Sequence, residues 1–149
     1  MQKWPTFVPV SQLTVKKKRD RLRRCIARIV ETYEASPDAL EQDLDQQDII
    51  ILNLQRACEQ VIDIAQVALR VSGGRVADTS ADALEALAQQ DIISIDLATG
   101  LKGLVGFRNV VVHEYENIDF GIVRSVITTQ LDQLMRFADI CMVYVADAG

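Results

Sequence analysis

Apolar residues recur three and four positions apart along most of the chain, the spacing that puts them on one face of an α-helix. Over 11–33, Leu22, Ile26, Ile29 and Tyr33 follow it. Ser36 and Pro37 break the run. They suit the N-cap and first position of a new element, where proline forgoes an N–H that would have no intrahelical partner. A short acidic helical piece through Leu40 and Leu44 follows. From 47 to 71 the repeat is Leu54, Cys58, Val61, Ala65 and Ala68. Gly73 and Gly74 close it, since glycine supplies the left-handed backbone that ends a helix. Thr79 or Ser80 can cap a short helix holding Leu84 and Leu87, and a further apolar stretch runs over 92–112. The last segment opens at Asp119 and carries Ile127, Leu131, Leu134, Ala138, Cys141 and Val145, which predicts one long helix.

Only 107–112, Phe-Arg-Asn-Val-Val-Val, conflicts with this picture, because three successive valines favour a strand by propensity. A lone strand among helices would leave its backbone groups unpaired, so helix is the expectation there too. Long helices with short joins imply an all-α up-and-down bundle. The 149 residues, 49% of them hydrophobic, fit a single bundle domain over 11–147. An N-terminal extension at 1–10 precedes it, and two readings are open for its Trp4 and Phe7: docking on the bundle or partial disorder. No apolar run approaches the roughly 18 residues that cross a bilayer, and the start has no signal-like leader, so a cytoplasmic protein without membrane association is expected. Cys25, Cys58 and Cys141 are odd in number and flanked by apolar residues. They read as buried thiols rather than as a disulfide framework or zinc site.

A net charge of −5 and a pI near 4.8 argue against a broad basic footprint for nucleic acid. The charge is uneven, however: half of the sixteen Lys and Arg residues fall within 16–28. Such a run can steer RNA through its local field. The plainer reading, preferred here, is a solvated helix face that also pairs with Glu41, Asp43 and Asp45. Gly100, Gly103 and Gly106 lack the Lys-Ser or Lys-Thr ending of a phosphate loop and point to close packing or local flexibility. Asp43 and Asp45 have no companion ligands, so neither a metal nor another cofactor is expected.

The chemistry concentrates in Phe-Arg-Asn-Val-Val-Val-His-Glu-Tyr at 107–115, which holds the only histidine of the chain. On a helix, Arg108 and Tyr115 lie about 20° apart and Asn109 and His113 about 40° apart, giving two neighbouring polar stripes. A neutral imidazole can take the proton of a ribose 2′-OH, and a guanidinium fork matches phosphate oxygens and the charge that develops on them. Asn109 can orient either group, and Tyr115 can bond or stack against substrate. Taken singly, His113 fits a helix C-terminal cap and Arg108 a surface ion pair as well. Arg108 and His113 also diverge by about 140°, which is awkward for one phosphate. Two copies packed about a two-fold axis remove that difficulty by lining one groove with both pairs.

Arg, four residues, His, one residue, Tyr, with Asn directly after the Arg, is the motif of the HEPN superfamily, and the match has no gaps. The runs 48–65 and 101–115 resemble its HepT branch, and the resemblance extends over most of the chain from about residue 12. It implies an all-α homodimer acting as a metal-independent endoribonuclease toxin, with Arg108 and His113 as catalytic residues in a cleft between protomers. Asn109 and Tyr115 would position the RNA substrate. The resemblance also implies an MntA-like nucleotidyltransferase antitoxin that neutralises the toxin by AMPylation of Tyr115. An adenylate there would add bulk and negative charge beside the phosphate site. The alternative from another class is a non-catalytic helical module that presents substrate to a nucleotidyltransferase.

Overall fold

A computed structural model describes residues 8–74, 76–113 and 115–148, without the side chains of Val112 and Tyr115. Trp4 and Phe7 lie outside the described residues. All regular structure among those described is helical: α1 (Val10–Ala35), α2 (Leu44–Val71), α3 (Ser80–Gln89), α4 (Ile95–His113), α5 (Phe120–Thr129) and α6 (Leu131–Ala148), with single 3₁₀ turns at Pro37–Ala39 and Tyr115–Asn117. No helix among these residues is long and apolar enough to cross a membrane.

α2 is the central element. It packs along α1 and also meets α3, α4 and α6. Its whole apolar repeat is buried, Leu54, Cys58, Val61, Ala65 and Ala68 included, where it meets Val15, Leu22 and Ile29 of α1 and Leu134, Phe137, Ala138 and Cys141 of α6 in one core. The sequence places α2 three residues late. Asp43 caps it by accepting from the Gln46 N–H, so Leu44 belongs to α2 and stands 70% exposed. The expected acidic helix is only the Pro37–Ala39 turn. Pro37 takes its first position, but the Ser36 side chain makes no cap bond. Gln46 fills that corner instead: its buried amide donates to the carbonyls of Thr32 and Ser36.

Two helix ends show the same chain reversal by different means. After α2, the N–H groups of Gly73 and Gly74 reach the carbonyls of Arg70 and Leu69 with Gly73 at φ 75°, the paired bonds that close a helix through a left-handed residue. After α3, Asp91 and Ile92 make the same pair of bonds to Ala88 and Leu87. There Asp91, a non-glycine, takes φ 58°.

The long C-terminal helix expected from the 127–145 repeat is two helices. The apolar residues keep their faces, with Ile127, Leu131, Leu134, Ala138, Cys141 and Val145 all buried, but the backbone breaks at Gln130 (φ −121°). Thr128 and Thr129 donate their hydroxyls back to the carbonyls of Arg124 and Ser125. This bonding competes with the helical ladder and bends it. Cys25 is also only half-buried, whereas Cys58 and Cys141 are buried.

Candidate active site

Ser94 starts α4 by accepting from the Leu97 N–H through its hydroxyl. Leu97, Ala98, Leu101, Leu104, Val105 and Val111 then anchor the helix in the core. Gly100 permits a close approach to α6, because a Cβ there would fall 2.2 Å from the Gln133 side-chain oxygen. The helical backbone runs unbroken through 107–112 despite its valines, with Val111 buried and Phe107 packed against the core. The motif therefore occupies the last turns of a helix whose other end is fixed.

α4 leaves one strip uncovered. Ile95 is 75% and Val110 42% exposed, a Cβ at Gly103 or Gly106 would meet nothing within 4 Å, and His113 ends the strip exposed. Arg108 departs on another side, toward α2. Its Nη2 donates to Glu59 Oε1 at 3.4 Å and its Nη1 to Asn109 Oδ1 at 3.3 Å, while its Nε is buried without a partner among the described residues. Asn109 is exposed and lines a cleft of about 420 Å³ with Lys102, Gly106, Gln66, Thr79 and Ser80. Tyr115 opens the 3₁₀ turn after α4. The helix thus carries Arg108, Asn109 and His113 on one segment, yet no hydrogen bond or ion pair joins Arg108 to His113 among the described residues. Their divergence is that of the helical wheel.

Beneath Arg108, burial pushes the Cys58 thiol up to about 12, with the Arg108 charge pulling the other way and Glu59 adding to the rise. Cys58 therefore stays protonated near neutrality and offers no nucleophile. Glu59 was not legible as a site residue in the sequence. It sits at the edge of a buried stripe, where a carboxylate reads as ordinary helix surface.

The basic run pairs differently from its expectation. Lys18 bonds Asp63, Arg19 bonds Asp139 and Arg28 bonds Glu31, whereas Glu41 is taken by Arg124. Lys17, Arg21, Arg24 and Arg28 stand exposed at spacings of four, three and four, one stripe of α1. Arg24 and Arg56 both act on the Cys25 thiol, so the stripe reaches α2 one turn from Glu59.

Residues 22–140 match the family Ribonuclease HepT-like. The chain belongs to that family. It is 38% identical over 119 residues to the mRNA nuclease HepT of Shewanella oneidensis, covering 80% of this chain and 89% of that one. In structure it is similar to a tri-AMPylated Shewanella oneidensis HEPN toxin in complex with an MNT antitoxin, with TM-score 0.81, 36% identity, and 85% and 95% of the two chains covered. A second toxin–antitoxin crystal structure, with AMP-PNP, matches at TM-score 0.81 and 35% identity over 86% and 97%. The expected all-helical class and HepT-like membership therefore hold for this chain, and with them the ribonuclease character of the family.

Proposed function

We propose that this protein is the toxin of a toxin–antitoxin pair, a metal-independent endoribonuclease whose site forms between two copies of the chain. The observation that carries the reading is the uncovered strip of α4. It ends at His113, while Arg108 leaves the same helix on another side. A second α4 laid on that strip would bury Ile95 and Val110 and bring the two His113 side chains into one interface, with an Arg108 from each chain bordering it.

In the groove, O2′ of the ribose attacks phosphorus as its proton passes to the His113 imidazole. The P–O5′ bond breaks, the leaving oxygen takes a proton from solvent, and a 2′,3′-cyclic phosphate remains. Arg108 offsets the charge that builds on the phosphoryl oxygens, and Asn109 and Tyr115 position the strand. The exposed stripe of Lys17, Arg21, Arg24 and Arg28 gives an acidic protein a local basic surface for RNA.

The related Shewanella toxin is tri-AMPylated and bound to an MNT antitoxin, which supports a nucleotidyltransferase partner here and Tyr115 as the hydroxyl that receives AMP. Transfer from ATP forms a tyrosyl O–P bond and releases pyrophosphate, leaving a negative charge where the RNA phosphate would sit. The test is RNA cleavage and growth arrest by the parent and an Arg108→Ala, His113→Ala double variant. Undiminished cleavage by the variant would make the motif residues structural and favour a non-catalytic partner of the nucleotidyltransferase.

A further inference from the structure

Arg108 is held on the α2 side of its helix by Glu59, through an ion pair unlike the one between Arg124 and Glu41. Arg124 closes on Glu41 through one nitrogen, with both carboxylate oxygens at 2.6 and 2.5 Å, and adds bonds to the Tyr33 hydroxyl at 2.9 Å and the Pro37 carbonyl at 2.8 Å. That guanidinium makes four short hydrogen bonds through its two terminal nitrogens, as a structural clamp should. Among the described residues the Arg108 guanidinium is held more loosely. Its contact to Glu59 is 3.4 Å and its contact to Asn109 3.3 Å, both beyond the usual N–H···O range. Its Nε is buried without a partner among the described residues.

A buried, unpartnered donor on a charged group is costly unless a ligand completes it. Glu59 and Arg108 retain 42% and 29% of their side-chain exposure, so solvent screens the pair and it adds little to stability. We infer that Glu59 is a positioning residue for Arg108: it fixes the direction of the guanidinium without consuming its donors, leaving them for a phosphate. Without Glu59, the long arginine side chain samples several rotamers, and a group that must meet a developing charge loses rate through misplacement. The adjacent Cys58 thiol is held protonated by burial, so no second anion beside Glu59 competes for Arg108.

This inference rests on the ribonuclease reading, and the experiment separates the two. Parent, Glu59→Gln, Glu59→Asp and Arg108→Ala chains are compared in three measurements: single-turnover cleavage of a fluorescent single-stranded RNA, its affinity across a salt series, and the melting midpoint. Glu59→Gln should slow cleavage roughly tenfold or more while affinity stays within about threefold and the salt slope is unchanged. Its melting midpoint should stay within about 3 °C of the parent's. Glu59→Asp, which keeps the charge, should restore much of the rate. Three outcomes overturn the proposal: cleavage by Glu59→Gln at the parental rate; tighter binding, a steeper salt slope and faster cleavage, which would make Glu59 a mask over Arg108; or joint loss of affinity, rate and melting midpoint, which would make it structural. Where these occur with an active parent and an inactive Arg108→Ala, only the Glu59 role fails. A parent that leaves RNA intact overturns both readings.

Discussion

If each site takes its arginine from one chain and its histidine from the other, two inactive chains should make an active dimer. Within one α4, Arg108 and His113 are separated by five residues, about 7.5 Å along the axis and about 140° around it. With side-chain ends about 6 Å from the axis, the two groups stand roughly 13 Å apart, far more than one phosphate group spans. The Glu59 contact increases the divergence by drawing the guanidinium toward α2. A chain carrying Arg108→Ala and a chain carrying His113→Ala each spoil both sites of a homodimer. Paired with one another, they place both lesions in one site and leave the second intact. The purified mixed dimer should therefore cleave at about half the parental rate, and random co-assembly, with mixed dimers about half of the population, at about a quarter. Differently tagged chains, co-expressed and isolated through both tags, allow the RNA cleavage assay. A mixed dimer as inactive as its parents, beside an active doubly tagged parental dimer, would place each site within one chain.

The remaining predictions concern the scaffold. Phe137→Ala removes the largest fully buried side chain among the described residues and should cost about 3–5 kcal/mol in denaturant unfolding; a loss under about 1 kcal/mol would mean that α6 is loosely packed. Asp91→Gly relieves a left-handed non-glycine position and should stabilise by up to about 1 kcal/mol, read as a raised denaturant midpoint. Arg124 holds the Glu41 carboxyl below its ordinary range through its hydrogen bond. A lowered pKa gives stability that is complete above the unfolded value and fades as pH falls through the folded one, so Glu41→Gln should flatten the acid limb of the unfolding midpoint against pH. An unchanged acid limb would show that the Arg124 clamp contributes nothing to folding. With the thiols of Cys58 and Cys141 each pushed up to about 12 by burial, half-buried Cys25 should alkylate first at neutral pH, as peptide mass spectrometry can show.

Most of the fold was legible because the apolar spacing of α1, α2 and α6 coincides with burial in the structure. What escaped lies at the ends of elements, where short-range bonding outweighs periodicity. The break at Gln130 leaves the apolar repeat intact, since Ile127 and Leu131 stay on the core face across it, so no reading of faces could reveal it. The pair Thr128-Thr129 was the available signal. Gly73 announced the end of α2, but Asp91 performs the same reversal after α3 without a glycine, and aspartate is too common on helix surfaces to mark such a turn by itself.

The candidate site divides along the same line. Arg108, Asn109 and His113 stood out because their spacing matches the HEPN motif on one segment, and a helix fixes the directions of residues so spaced. Glu59 did not, because it lies 49 positions from Arg108 and only the packing of α2 against α4 brings them together. The angular conflict between Arg108 and His113, visible in the sequence as an obstacle to catalysis, becomes informative beside that packing. The structure supports the arginine on the side where it diverges from its own histidine, and it leaves bare the strip on which a second α4 would lie. A site designed to close within one chain would need Arg108 drawn back across the helix toward His113. Glu59 pulls it the other way, toward α2, so a site closed within one chain would have to break that ion pair.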